Sequence, residues 1–282
     1  WSSYVCASDL CTMTIQEIIN AILAYHPDLG DRRTCDVIIG SDPAVECTGI
    51  AVSIAPTVAV IRKAIELGAN FILVHEPTFY SGYDDECEWL AGNEVYEEKR
   101  QLLLNHGIVI YRDSDHIHTH RPDGIFHYMM KQLGWLEYTQ PGAGLMSQIK
   151  LPETTFGELV QHVKQAMGLE TIRYIGNLDA TVSTIGFCGH LLPNESTNWS
   201  NNEQVAAAWQ YDVVIPGEVV EWTLPLYIQD AALLGKAKGM ILPGHFIQEE
   251  AGMRWAEAWL RPLVGDELPL TFVSAGDMFQ YM

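Results

Sequence analysis

GIAVSI at 49–54, TVAVIRKAIELGA at 57–69 and NFILVHEP at 70–77 read in one run as strand, helix and strand. A unit of this kind implies parallel strands joined by a right-handed crossover. Working outward, a helix over 14–25 leads into a strand near Cys35–Gly40 on the N-terminal side. On the other side, helix Asn93–Asn105 stops at His106-Gly107 and is followed by the strand GIVIY. A further helix runs from about Gly124 to Leu133. GLMSQIKL, helix Thr155–Met167 and TIRYIG then form a second strand–helix–strand group. The remainder alternates again: VSTIGFCG, a helix around Glu203–Trp209, YDVVIPGE, helix Leu224–Leu234, KGMILPG, one long helix from about Gln248 to Leu263, and LPLTFVSAG. Strands alternating with helices throughout define an α/β fold.

Two of the predicted strands end on chemistry. VHEPTFY sets His75 and Glu76 side by side where an apolar run stops, and PGHFIQEE sets Glu249 four residues after His245 at a helix start. In open α/β sheets such strand ends are where ligands bind. Imidazole and carboxylate together suit a divalent metal such as zinc, iron, manganese or nickel. His245 and Glu249 share one helical face, so both can point at one ion. Gly244 allows the sharp strand-to-helix turn that this requires. A third strand end, PGEVVEW, offers Glu218 and Glu221 as a general base or as a partner to a ligating histidine. Exposed acids at a helix start would look the same.

The tract YRDSDHIHTHRPDG follows the strand GIVIY. If it stays extended, Ser114, His116, His118 and His120 share one face, and Asp113 and Asp115 the other. Alternate histidines with neighbouring carboxylates suit metal or substrate contact, although a solvated loop would also account for them. His26, His106, His127, His162 and His190 have no such setting and read as surface or satisfied histidines. The acidic connection SGYDDECEWLAG reads as a loop lining or covering the site.

The chain has 282 residues, 48% of them hydrophobic, and a formal net charge of −20. That charge argues against nucleic acid as a partner, since no run of basic residues offsets it. No apolar stretch is long enough to span a bilayer. Cys6, Cys11, Cys35, Cys47, Cys87 and Cys188 form no C-x-x-C pair, the pattern of reduced thiols in a cytoplasmic protein. No G-x-G-x-x-G after a strand, Walker loop or G-x-S-x-G elbow is present, which leaves dinucleotide, NTPase and serine-hydrolase readings without support. Thr14 and Glu17 have capping-box spacing, so Met13 reads as the natural beginning and the residues ahead of it as an extension. The turn formers of Gln140-Pro141-Gly142-Ala143-Gly144 mark a linker. The predicted domains are a first α/β lobe over 14–139, continued by the C-terminal segment, and a second over 144–282, with 1–13 an extension.

These features together resemble the Nif-three-like (Ngg-interacting-factor-three-like) dinuclear metal-centre family, whose bacterial members often carry the name GTP cyclohydrolase type 2 homologue. The resemblance rests on motifs in the right order from about Thr14 to Met282. Val74-His75-Glu76-Pro77 stands where the family has an apolar strand ending in His-His-Pro. The tract reaching Gly124 stands where it has an Asp ligand, and Gly244, His245 and Glu249 match its C-terminal Gly-His with a later Glu. Phe279 and Tyr281 match its closing Phe-x-Tyr. The departures are Glu76 for the second histidine, His118 rather than Asp115 for the bridging Asp, and Pro216-Gly217-Glu218 for Thr-Gly-Asp.

The resemblance implies two similar α/β lobes facing each other across a metal-binding cleft, and a ring-shaped homo-oligomer, commonly a hexamer. It implies His75, Glu76, His118, His245 and Glu249 as ligands of one or two divalent ions, with Asp115, His116 and His120 as outer ligands or substrate contacts. Imidazole is a poor bridge between two metals, so one ion is expected to be held firmly and a second weakly or not at all. Two functions remain open. One is a metal-dependent hydrolase acting on a small, nucleotide-like substrate, with Glu218 accepting the proton and Arg121 as the nearby cation. The other is a non-catalytic metal-binding or regulatory interaction protein.

Overall fold

A computed structural model describes residues 13–84, 86–140, 146–191 and 201–282. The extension ahead of Met13 and residues 141–144 of the predicted linker lie outside the described residues. In chain order the first elements are α1 (Ile15–Tyr25), β1 (Val37–Gly40), β2 (Ile50–Ser53), α2 (Val58–Glu66), β3 (Phe71–Val74), α3 (Glu94–Asn105), β4 (Val109–Arg112) and α4 (Phe126–Leu133). They continue with β5 (Thr139–Gln140), β6 (Ser147–Thr155), α5 (Phe156–Ala166), β7 (Arg173–Ile175), β8 (Thr181–Leu191), α6 (Asn201–Ala208) and β9 (Val213–Val219). The last are α7 (Leu224–Leu233), β10 (Gly239–Leu242), α8 (His245–Arg254), α9 (Glu257–Val264) and β11 (Leu270–Phe272). The α/β reading holds.

The chain forms two compact units. One runs up to Gly124 and resumes over Met253–Gly276; the other comprises Ile125–Gly252 and Asp277–Met282. The first unit is built on a sheet of order β1-β4-β3-β2-β11, with β4, β3, β2 and β11 parallel and β1 antiparallel at the edge. Every residue of β2 and β3 is buried, because helices and loops cover both faces of these strands. Helix α1 begins as its sequence predicts. The Thr14 hydroxyl accepts from the Glu17 amide while the Glu17 carboxylate accepts from the Thr14 amide. Ile15, Ile18, Ile19 and Ile22 form its buried stripe.

The second unit holds a sheet of order β5-β6-β8-β9-β10-β7. Only its middle, β8-β9-β10, is parallel; β6 runs antiparallel to β8 and β7 antiparallel to β10. The predicted strand–helix–strand group of β6, α5 and β7 therefore supplies strands on opposite sides of the sheet, not neighbours. Phe156, Val160 and Val163 of α5 pack with Ile185, Phe187, Ile215 and Ile241 in its core.

The long C-terminal helix predicted over Gln248–Leu263 is two helices, α8 and α9, and the first already starts at His245. The break falls at Trp255-Ala256, where the Ala256 amide bonds back only three residues, to the Met253 carbonyl. That tightening ends the α-helical ladder.

Candidate metal centre

The first cluster starts where β3 leaves the sheet. The amides of His75 and Glu76 both donate to the Ile54 carbonyl, at 3.1 and 2.8 Å, which turns the chain at the His-Glu pair. His75 is buried, and its Nδ1 donates to the Asp113 carbonyl at 3.0 Å. A carbonyl can only accept, so Nδ1 carries the proton and Nε2 keeps the lone pair. Buried Arg112 fixes the backbone here, donating from Nε to the His75 carbonyl at 3.2 Å and from Nη1 to the Gly82 carbonyl at 2.7 Å. The loop after Glu76, which is half-buried, is held in turn. The Asp84 carboxylate accepts the amides of Thr78 and Phe79, and buried Lys99 donates to the Thr78 carbonyl. Burial pulls the Lys99 ammonium down to about 8.

The histidine tract is not extended. The Asp36 carboxylate, at the foot of β1, accepts the amides of Ser114, Asp115 and His116 at 2.8, 2.7 and 3.1 Å and also the His116 Nδ1 at 2.6 Å. One carboxylate gathering three successive amides curls the chain into a turn, and a 3-10 turn follows at Ile117–Thr119. Gly124 completes it: its amide donates to the Ile117 carbonyl, and a Cβ there would stand 2.8 Å from that oxygen. The alternating face is therefore broken up, and each histidine has its own surroundings.

His118 is the tract histidine that reaches His75. Their ring centroids are 5.0 Å apart, nearly perpendicular. Its Nδ1 donates to the Asp123 carboxylate at 2.7 Å, so in the neutral ring Nε2 is again the nitrogen with the lone pair. His120 instead turns to His26, with 2.8 Å between its Nε2 and the Nδ1 of His26. The other nitrogen of His26 donates to the buried Asp113 carboxylate at 2.9 Å. Burial and the neighbouring charge of His26 hold the His120 imidazolium below its ordinary value. His26, read from sequence as an ordinary satisfied histidine, thus belongs to the network around the site. Its partner lies 87 residues away, so nothing local could signal it.

Asp115 accepts from the Cys35 amide and the Thr34 hydroxyl at 2.8 and 3.0 Å. Burial alone would raise its carboxyl, but these hydrogen bonds outweigh it and hold the group below its ordinary value. Cys35, Asp36 and Asp115 bring ligand atoms within 4.8 Å of one another. They make a poor ion site all the same. Both carboxylates already accept amide protons, and burial pushes the Cys35 thiol up to about 11, away from the thiolate that binds metal.

The second unit supplies another cluster. After β10, Gly244 takes φ +102°, a conformation side-chain-bearing residues rarely adopt, and α8 begins directly at His245. His245 Nε2 lies 2.6 Å from Glu249 Oε2, and its Nδ1 lies 3.2 Å from Oε1 of Glu218 at the end of β9. Glu249 is buried, whereas the Glu218 side chain is 43% exposed. Glu221 is exposed. An imidazole between two carboxylates is a site for positive charge, and the 2.6 Å between Nε2 and Glu249 is a hydrogen-bond distance, bridged by a proton.

The donor sets fit a divalent metal. His75 and His118 have Nδ1 taken by an acceptor that orients the ring and leaves Nε2 as the ligating nitrogen, as is usual for metal-bound histidine. His245 and Glu249 offer one nitrogen and one oxygen from a single helical face.

The fold is that of a known structural class. A Staphylococcus aureus hypothetical protein, SA1388, matches with a TM-score of 0.71 at 18% identity, covering 96% of this chain and 100% of that one. A Bacillus cereus protein related to NIF3 matches with a TM-score of 0.68 at 14% identity, over 96% and 100%. At the level of sequence, the Duf34/NIF3 (NGG1p interacting factor 3) family model matches residues 13–275, and the chain belongs to that family. A Streptococcus pneumoniae serotype 4 protein named GTP cyclohydrolase 1 type 2 homolog is 25% identical over 250 residues, 84% of this chain and 86% of the relative.

Proposed function

We propose that the protein is a divalent-metal-binding hydrolase acting on a small, nucleotide-like substrate, with His75, Glu76, His118, His245 and Glu249 as metal ligands. The observation that carries this reading is the paired tautomer control of His75 and His118. Two imidazoles 5.0 Å apart each have Nδ1 tied to an acceptor, which is an arrangement suited to ligation through Nε2. The metal would be zinc, iron, manganese or nickel, with one ion per chain bound firmly and a second weakly or not at all. When bound, such a cation supplies Lewis acidity that polarises water or a substrate oxygen.

The chain's own residues have defined work in this reading. Asp113, through its carbonyl, and Asp123, through its carboxylate, orient the two imidazoles. Glu218 stands 3.2 Å from the Nδ1 edge of His245 and, being partly exposed, is the group placed to take up a proton. The relative's cyclohydrolase name supports hydrolytic chemistry on a nucleotide. A family name that denotes an interacting factor supports a different reading, a metal-binding protein without turnover. We also propose a homo-oligomer, a ring such as a hexamer, in the cytoplasm. Trp89 and Trp222, 65% and 67% exposed, would be interface anchors.

Metal-loaded protein assayed against nucleotides and phosphoesters decides between the two functions. Turnover that disappears in His245→Ala is the expected result. Stoichiometric metal with no turnover on any of them would favour the interaction protein. Light scattering at micromolar concentration is expected to give a multiple of the 31.5 kDa chain mass, and the monomer mass alone would contradict the ring.

A further inference from the structure

A second feature of the first unit is a cavity of about 350 Å³, bounded by the segment after α1 and by the histidine tract. Its size falls within the roughly 300–1,000 Å³ typical of small-molecule pockets. Arg32, Arg33 and Arg121 line it together with Asp28, Asp115 and His118. Three of the chain's nine arginines border this cavity, against the carboxylates of Asp28 and Asp115.

Each guanidinium is held in place by the chain. Arg121 Nη1 donates to the carbonyls of His118 and His120 at 2.9 and 2.7 Å. Arg32 donates from Nε to the Leu29 carbonyl at 3.3 Å. Arg33 stacks over the Tyr83 ring at 3.7 Å and pairs with Glu86 at 2.5 Å. The two acids of the lining are already engaged: Asp28 accepts the Gly30 amide, and Asp115 accepts from Cys35 and Thr34. Arginine's planar fork matches phosphate and carboxylate oxygens, and with Arg33 paired to Glu86 the two guanidiniums of Arg32 and Arg121 match a dianionic phosphoryl group.

We propose that this cavity binds the phosphoryl group of a small-molecule ligand, with Arg32 and Arg121 as its principal contacts. Because His118 lines the same cavity, a ligand anchored there by its phosphoryl end would extend toward the metal ligands. That last step rests on the proposed function; the phosphoryl site itself does not.

The test is calorimetric titration of the metal-loaded full chain with inorganic phosphate, with metal content measured on the same samples. Phosphate is expected to bind wild type, and to bind about tenfold or more weakly in Arg32→Gln and in Arg121→Gln, since a charged hydrogen-bonding partner is lost. Arg62→Gln, an exposed helix arginine outside the cavity, is expected to bind as wild type does. His75→Ala is expected to lose metal yet keep phosphate, which separates this site from the metal reading. No phosphate binding to wild type, unchanged affinity in both cavity variants, an equal loss in Arg62→Gln, or loss of phosphate together with metal in His75→Ala would each overturn the proposal. Acetate binding as tightly as phosphate would overturn the phosphoryl assignment.

Discussion

The two histidine clusters solve the same problem by different means. In the first unit the rings of His75 and His118 are set by a network that reaches far along the chain: Asp113 through its carbonyl, Asp123, and an Asp36 carboxylate that curls the tract. In the second unit His245 is set by one helical turn and one adjacent strand end, through Glu249 and Glu218. The first cluster is preorganised by buried main-chain contacts. The second is a side-chain arrangement in which a proton bridges His245 and Glu249, and a ligating metal would have to displace it. Damage to the first should therefore register in folding as well as in metal affinity, and damage to the second chiefly in affinity.

The largest effect is expected from Asp113→Ala. It leaves His26 buried without its carboxylate, and breaking a fully buried pair of this kind costs about 3–5 kcal/mol. Urea denaturation should show that loss, and a variant within about 0.5 kcal/mol of wild type would mean that the network does not organise the cluster.

Lys99 provides the next comparison, through pH. Its folded value of about 8 lies below the ordinary 10.5, so the unfolded chain binds more protons between these values. Stability contributed by this group should therefore rise as pH climbs from about 8 to 10.5, by roughly 2–3 kcal/mol. Lys99→Met should flatten the rise, measured as denaturation midpoints across that range. An identical pH profile in the variant would remove Lys99 from the account.

Asp123→Ala should leave the fold intact and weaken metal binding about 10–100-fold, since it frees the His118 ring to rotate. Competition with a chromophoric chelator measures this directly. Glu218→Gln should have the smallest effect, about tenfold or less, because the carboxylate is partly solvated and stands 3.2 Å from Nδ1 without an aligned hydrogen bond. A larger loss in Glu218→Gln than in Asp123→Ala would invert the comparison between the clusters.

What the sequence revealed follows the same division. Local rules found the Thr14–Glu17 capping box, the glycine-dependent turn at Gly244, and the strand end that presents His75 and Glu76. In each case the residues that decide the structure lie within a few positions of one another. The curl of the histidine tract was hidden because its cause, Asp36, lies about 80 residues upstream. His26 was hidden for the same reason. Arg32 and Arg33 meet Arg121 only through the fold, so a search for runs of basic residues passes over the cavity they share. The strand–helix–strand reading of β6, α5 and β7 found the elements but not their places in the sheet, because order and direction depend on partners distant in sequence. The break between α8 and α9 falls at Trp255-Ala256, where neither proline nor glycine announces it.

The central proposal is that His75, His118 and His245 are metal ligands. Its most direct test is the metal content of protein purified without chelator, measured by elemental analysis for wild type and for His75→Ala, His118→Ala and His245→Ala. The account predicts one firmly held ion per chain in wild type, and metal lost in each of the three variants. Two tightly held ions in wild type, or a metal content unchanged in any of the three variants, would contradict it.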